Sequence, residues 1–337
     1  MNTTIKTGIL SFGMSGSLFH APFIKHHAAF EFTAVVERSK KKAQETYPKI
    51  KSYDTVEAIL LDDSIELIIV NTPNETHLEF ALKAIKSGKH VLIDKPFTPT
   101  SAEAKEVFKE AKKHGVLALP YQNRRYDSDF ISVKKMVESG KLGNLIEAHF
   151  RHDRYKTAVN TDSWKEIPGP GNGVIYNLGA HTIDAIISVF GIPLKWSKYP
   201  SYIRPKTKVA DYIHIHLLYP NNFQVFATIS LLVADPQPAF VVNGTLGTFK
   251  KNRTDVQENQ LNKGILPDNI AYGIEALGSQ GHLTTIDSKG DKSHEEITAE
   301  KASYTYLFED VYQSIRMGKD FPVTEEQLIT QLEILEA

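Results

Sequence analysis

The sequence predicts an α/β chain in two parts: an N-terminal doubly wound parallel sheet, then a C-terminal α+β domain with an open, mostly antiparallel sheet. Three observations carry that expectation. Short β-branched runs alternate with amphipathic helical stretches through the first third, the signature of βαβ units. After about Pro120 the pattern changes to longer runs in which apolar and polar residues alternate, as in Tyr212 to Leu218 and Phe223 to Ile229, which suits strands with one wetter face. The length, 337 residues, exceeds one ordinary core and fits two domains, expected at 1–120 and 121–337.

In the first part, strands are expected at Lys6 to Ser11, Phe32 to Val36, Leu67 to Asn71, Val91 to Asp94 and Val116 to Tyr121. Helical patterns lie between them at Lys40 to Thr46, Val56 to Leu61, Glu75 to Lys86 and Ala102 to Lys113, the last closed by His114-Gly115. Ile65 to Val70 is almost continuously apolar, as expected of a strand buried on both faces. In the second part, Leu145 to Tyr155, Ala239 to Asn243, Thr248 to Lys251 and His282 to Ile286 join the open sheet without intervening helices. The free face of such a sheet is expected to serve a homo-oligomer. Helices at Tyr304 to Met317 and Glu325 to Glu336 end the chain, and the last has neither cap nor trailing Gly or Pro, which reads as a C-terminus cut short.

Composition narrows the partners. With 41% hydrophobic and 23% charged residues and no low-complexity tract, the chain should fold throughout. A net charge of -1 and the lack of a basic stripe exclude nucleic acid and anionic membrane as expected partners. The absence of cysteine rules out a disulfide framework, a thiolate metal site and a cysteine nucleophile. The N-terminus has no signal-peptide pattern and no apolar stretch approaches the roughly 20 residues of a membrane span, so cytoplasm is the expected location. His26-His27 and His214-x-His216 lack further ligands at supporting spacing, and no metal is expected.

Gly8-Ile9-Leu10-Ser11-Phe12-Gly13-Met14-Ser15-Gly16 sits where the first strand meets the first helix. In a dinucleotide-binding G-x-G-x-x-G frame Ser11 replaces the first glycine, while Gly13 allows close approach of a pyrophosphate and Gly16 allows helix packing. Phe12 and Met14 belong to the same loop. Glu37, 21 residues beyond Gly16 at the end of the second strand, suits ribose hydroxyls and repels a 2'-phosphate, which favours NAD. Arg38, Lys40, Lys41 and Lys42 pull toward NADP, unless the lysines are only a solvated helix face, and the balance tips slightly to NAD. A Rossmann domain holding NAD or NADP is the expectation.

Asp94-Lys95-Pro96-Phe97 ends a strand at the carboxyl edge of the sheet, where open α/β folds bind ligands. A lysine desolvated there has its pKa lowered toward neutrality and can exchange a proton with an alcohol, although a strand-end lysine by itself is ordinary surface. Thr72-Pro73-Asn74-Glu75-Thr76-His77, Asp94-Lys95-Pro96, the run Tyr121 to Asp127 and Gly179-Ala180-His181-Thr182-Ile183-Asp184 occur in that order. Together they resemble the glucose-fructose oxidoreductase and inositol dehydrogenase family, Gfo/Idh/MocA, over essentially the whole chain. Asn123 to Phe130, Asp153-Arg154-Tyr155 and Pro168-Gly169-Pro170-Gly171 look most like its branch of NADP-dependent scyllo-inositol dehydrogenases.

The resemblance implies an NAD(P)-dependent oxidoreductase that transfers a hydride between the nicotinamide and a hydroxyl or carbonyl carbon of an inositol-, sugar- or polyol-like substrate. Lys95 matches the catalytic lysine and Pro96 the proline that fixes its direction. Thr72 and Pro73 match the loop beside the nicotinamide half, with Asn74, His77 and Asp94 grouped as cofactor-side candidates. His181 matches the histidine that hydrogen-bonds the reacting oxygen. Asp184, three residues on, either orients that imidazole or is a helix-surface carboxylate. Asn177 stands where the family usually carries aspartate, and can hold a hydroxyl but cannot take a proton. Arg124, Arg125, Tyr155, Lys156 and Trp164 are candidates for gripping substrate, with structural salt bridges the alternative for the arginines. Asn177 also motivates a non-catalytic NAD(P)-sensing regulator, and a reductase of a non-sugar carbonyl with an aromatic pocket is a third reading.

Overall fold

The structure is a computed structural model; it describes residues 4–161 and 163–336, without the side chain of Trp164. The chain forms two compact units, each assembled from separated stretches. One contains the residues up to Asn123 with Gln260–Tyr272 and Ser303–Ile329, and the other contains Arg124–Asn259, Gly273–Ala302 and the residues from Thr330.

In the first unit the strands are β1 (Ile5–Ile9), β2 (Phe30–Val36), β3 (Lys51–Tyr53), β4 (Leu67–Val70), β5 (His90–Ile93) and β6 (Ala118–Pro120). They are all parallel, in the order β3-β2-β1-β4-β5-β6. This order reverses direction between β1 and β4, which leaves a crevice at their carboxyl ends. Helices α1 (Ala21–His26), α2 (Ala43–Thr46), α3 (Val56–Leu60), α4 (His77–Lys86) and α5 (Ser101–His114) connect the strands. All four residues of β4 are fully buried, which is why its sequence carries no polar alternation. Helix α5 opens with a capping box between Thr100 and Glu103 and stops where Gly115 turns left-handed at φ 67°. Phe23 stacks on Phe308, from the segment that returns to this unit, with ring centroids 5.8 Å apart.

In the second unit α6 (Ser128–Glu138) precedes β7 (Leu145–Asp153), then α7 (Ala180–Phe190), β8 (Lys195–Ser201), β9 (Tyr212–Leu218), β10 (Gln224–Ser230), β11 (Phe240–Gly244) and β12 (Gly247–Lys251). Helix α8 (Val256–Asn262) follows, then β13 (Gly281–Ile286) and β14 (Lys292–Ile297); α9 (Thr305–Met317) belongs to the first unit, and α10 (Glu325–Glu336), whose residues from Thr330 belong to the second, is the last element. The sheet runs β14-β13-β12-β11-β7-β10-β9-β8 and is antiparallel except at the parallel pair β7 and β10. Ile213, Ile215 and Leu217 of β9 are buried while His214 and His216 face the other side, so the alternation in the sequence marks a one-sided core.

The differences from expectation have local causes. Helices α7 and α8 interrupt a run of strands expected to have none between them. Strand β3 is three residues long, β8 is polar with Pro200 within it, and β14 is Lys-Ser-His-Glu-Glu-Ile, so none shows an apolar period. The last two are edge strands, where charge and proline blunt further pairing. Each unit also contains a π-helical turn, Ser15–His20 ahead of α1 and Ile175–Gly179 ahead of α7, closed by bonds from Ala21 N–H to the Gly16 carbonyl and from Ala180 N–H to the Ile175 carbonyl. Among the described residues no helix is long and apolar enough to cross a membrane.

Candidate active site

The turn after β1 is shaped by its glycines. A β-carbon on Gly16 would stand 2.1 Å from the Ser11 carbonyl oxygen and 3.1 Å from Asn71 Nδ2, so only glycine lets the helical start close on the strand end. Gly13 faces open space, its nearest atom being Ser11 Oγ at 3.7 Å. Asn71, just past β4, donates to the Ser11 carbonyl at 2.9 Å, while its buried Oδ1 has no hydrogen-bond partner in the protein. No side chain caps the helical turn that begins at Ser15, and uncapped leading N–H groups suit phosphate oxygens. Phe12 meets Tyr47 edge-on at 6.1 Å, and Met14 is 69% exposed. A cavity of about 700 Å³ runs from Ser11 and Phe12 past Glu37, Arg38 and Lys40 to Thr72 and Pro73. These features fit a dinucleotide: a turn open at Gly13, closed at Gly16 and backed by a buried acceptor still unsatisfied.

Glu37 borders that cavity, but its carboxylate is engaged inside the unit rather than held ready for ribose hydroxyls as expected. Oε1 accepts from the backbone N–H groups of Lys42 at 2.8 Å and Ala43 at 3.1 Å, and Oε2 accepts from Ser52 Oγ at 3.0 Å. At 7% exposure the carboxylate needs such partners, and the first turn of α2 supplies N–H groups that would otherwise be unpaired. Arg38, Ser39, Lys40 and Lys42 are exposed along the cavity, which the exposed carboxylates Asp54, Glu57 and Glu79 also line.

The segment after β5 is held from both sides. A cis peptide joins half-buried Lys95 to Pro96. Asp94 Oδ2 accepts from Ser15 Oγ at 2.5 Å, and its Oδ1 lies 3.0 Å from His20 Nε2. Burial pushes this carboxyl up, but the charge and hydrogen bond of His20, the hydrogen bond from Ser15 and the charge of His77 outweigh it and hold Asp94 below the usual carboxylate range. His20 is fully buried with its ring 4.3 Å from that of Tyr121, and its Nδ1 has no hydrogen-bond partner. His77, at 1% exposure, places Nδ1 2.8 Å from the Pro96 carbonyl and Nε2 2.9 Å from the Thr72 carbonyl. Asn74 opens the short 3-10 turn Asn74–Thr76 between them, and Thr76 Oγ1 is 2.6 Å from Thr72 Oγ1. His20, Ser15 and Asn71 are not among the residues expected from sequence. The one available signal for His20 is a polar residue set between Phe19 and Ala21-Pro22-Phe23, where burial demands a partner.

In the second unit Asn177 is half-buried in the π-helical turn, and His181 is 9% exposed at the start of α7. Asp184 is buried rather than a helix-surface carboxylate: Arg125 Nε donates to its Oδ2 at 2.9 Å and Nη2 to its Oδ1 at 2.7 Å. Arg124 pairs with Asp127 at 3.1 Å, with Glu258 at 2.6 Å and with Asp255. Both arginines thus sit in ion pairs, the structural alternative to gripping substrate. Tyr155 is 63% exposed and bridges to Leu232, and Lys156 Nζ lies 3.4 Å from Glu166. Glu166 is itself buried, taking both Nη groups of Arg204 at 3.0 and 2.7 Å, and Arg204 Nε donates to Asp211 at 3.1 Å, which anchors the loop after Tyr155. Trp164 begins the 3-10 turn Trp164–Glu166, and its side chain lies outside the described residues. Among the described residues no three His, Asp or Glu side chains are grouped to hold a metal ion.

Known proteins share this architecture. The model described as an oxidoreductase family with an NAD-binding Rossmann fold matches residues 5–122, and its companion C-terminal alpha/beta domain matches residues 134–337. The uncharacterized oxidoreductase C115.03 of Schizosaccharomyces pombe is 35% identical, covering 99% of this chain and 96% of its own length. The scyllo-inositol 2-dehydrogenase (NADP(+)) IolW of Bacillus subtilis is 33% identical, covering 99% and 92%. The solved structure of Bacillus subtilis yvaA superposes with a TM-score of 0.95 at 32% identity, over 100% of this chain and 95% of that one. The chain belongs to the Gfo/Idh/MocA family of NAD(P)-dependent oxidoreductases, by both of its domains.

Proposed function

We propose that this oxidoreductase is NADP-linked and acts on a ring carbinol, or the matching ketone, of an inositol-like polyol. The observation that carries the cofactor choice is the state of Glu37. A carboxylate taken up by Lys42, Ala43 and Ser52 offers little to a ribose diol, whereas Arg38 and Lys40 border the same cavity with cationic groups that a 2'-phosphate can pair with. The substrate class rests on likeness to the scyllo-inositol dehydrogenase IolW along nearly the full chain.

When bound, the nicotinamide supplies the carbon that takes up or gives back a hydride. Gly13, Gly16 and the N–H groups after Met14 would hold the pyrophosphate, with Thr72 and Pro73 toward the nicotinamide half. Lys95 accepts the hydroxyl proton as the carbinol carbon gives up its hydride, leaving a ketone; in reduction it returns that proton. By the family resemblance, His181 would give a hydrogen bond to the reacting oxygen and Asn177 would hold a neighbouring hydroxyl. Asn177 cannot take a proton, so acid-base work rests on Lys95 and His181.

The test is nicotinamide absorbance with inositols, aldoses and polyols, run with NADP and NAD in parallel. Turnover of an inositol with NADP supports the reading. Turnover with NAD alone, or only of a non-sugar carbonyl, overturns the cofactor or substrate assignment respectively. Tight cofactor binding without turnover of any substrate favours a sensor built on the same fold.

A further inference from the structure

We propose that His77 is a positioning residue that, with a proton on each ring nitrogen, donates to the Thr72 and Pro96 carbonyls at once and fixes the cofactor-side loop against the Lys95 turn. The geometry requires two donors. Both partners are backbone carbonyl oxygens, which only accept, and they stand 2.9 Å from Nε2 and 2.8 Å from Nδ1. A neutral imidazole has one N–H, so its bare nitrogen would face a carbonyl lone pair at hydrogen-bond distance. At 1% exposure no solvent would relieve that contact.

A buried charge needs a counter-charge, and the ionised Asp94 at the end of β5 is close enough for its charge and that of His77 to favour one another. Its carboxylate is held ionised by His20 and Ser15, so the segment carrying Lys95 has an anion before the lysine and a cation behind the proline. Lys95 itself lies between these two attachments. On the histidine's own side, Glu75 and Glu79 are the nearby acids in sequence, and Glu79 is taken by Lys83 at 2.7 Å. The loop end of the clasp is further held by Thr72 Oγ1 against Thr76 Oγ1 at 2.6 Å. His77 therefore joins two backbone segments, one assigned to the nicotinamide and the other to the proton, through their carbonyls, in place of the direct cofactor contact expected of it.

The consequence for turnover rests on the hydride-transfer reading, but the protonation of the ring does not. In full-length 15N-labelled protein at neutral pH, long-range 1H–15N spectra, with His77→Gln to assign the signal, should show both His77 nitrogens protonated. A ring with one bare nitrogen overturns the proposal. His77→Gln keeps one donor and loses the other, and misplacing a reactant by about 1 Å costs on the order of 100-fold, so kcat should fall about 10- to 100-fold while NADPH affinity, read by fluorescence, stays within about threefold. Unchanged kcat, or affinity lost in step with kcat, also overturns the proposal. If the wild type turns over no polyol, the hydride reading fails and the ring spectrum alone decides the clasp.

Discussion

Arg125 grips Asp184 with a fork of two hydrogen bonds, Nε to one carboxylate oxygen at 2.9 Å and Nη2 to the other at 2.7 Å, with both side chains only 7% exposed. Removing one partner leaves a buried charge, so Arg125→Ala should cost about 3 to 5 kcal/mol in denaturant unfolding. In a double-mutant cycle with Asp184→Ala the pair should couple by about 1 to 3 kcal/mol. Additive losses would mean the fork carries no energy of its own.

Gly13 and Gly16 should respond in opposite ways to alanine. At Gly16 the methyl would overlap the Ser11 carbonyl, so the variant should be strongly destabilised. At Gly13 the nearest atom is 3.7 Å away, so the thermal midpoint should hold while NADPH affinity, measured by fluorescence titration, drops about tenfold or more as the methyl fills the approach to the pyrophosphate.

On the proposed NADP reading, Arg38→Ala should weaken NADP about tenfold and change NAD by no more than about twofold, because Arg38 would pair with the 2'-phosphate alone. Equal losses for both cofactors in parallel titrations would place Arg38 elsewhere on the nucleotide.

Lys95→Met removes the only nitrogen of a side chain assigned to proton transfer, and turnover should fall by a factor on the order of 100 to 10,000 with cofactor binding retained. Single-turnover absorbance at the nicotinamide wavelength separates the two effects. Wild-type rates in this variant would remove Lys95 from the chemistry.

Asp94 gives a pH dependence of defined sign. Its folded-state pKa is depressed, so its stabilisation is full above the unfolded value of about 3.9 and disappears as pH falls through the lower folded value. The melting-temperature gap between wild type and Asp94→Asn should be widest above about pH 5 and should narrow below about pH 4. A gap independent of pH would show that the carboxylate is not held ionised by its neighbours.

Much of this molecule could be read from local pattern. The apolar run Ile65 to Val70, the stop at Gly115 and the alternation in Tyr212 to Leu218 each reflect a period or dihedral requirement that acts within a few residues. The motifs Gly13-Met14-Ser15-Gly16 and Asp94-Lys95-Pro96 were legible for the same reason. Elements without such a period, such as β14 with its charged face, were not.

Partner choice lay beyond the sequence. Glu37 reads as a ribose acceptor from its spacing, yet the N–H groups of α2 and the hydroxyl of Ser52 claim it. Asp184 reads as an imidazole's orienter or a surface carboxylate, yet Arg125, 59 residues earlier, takes it. His20 and Asp94 are separated by 74 residues and meet only because β1 and β5 end at the same edge of one sheet. The sequence by itself determined the periodicity and the residue types that carry the chemistry. The tertiary structure decided which polar group satisfies which, because buried charges and hydrogen bonds are paired by proximity in space, and chain spacing does not encode it.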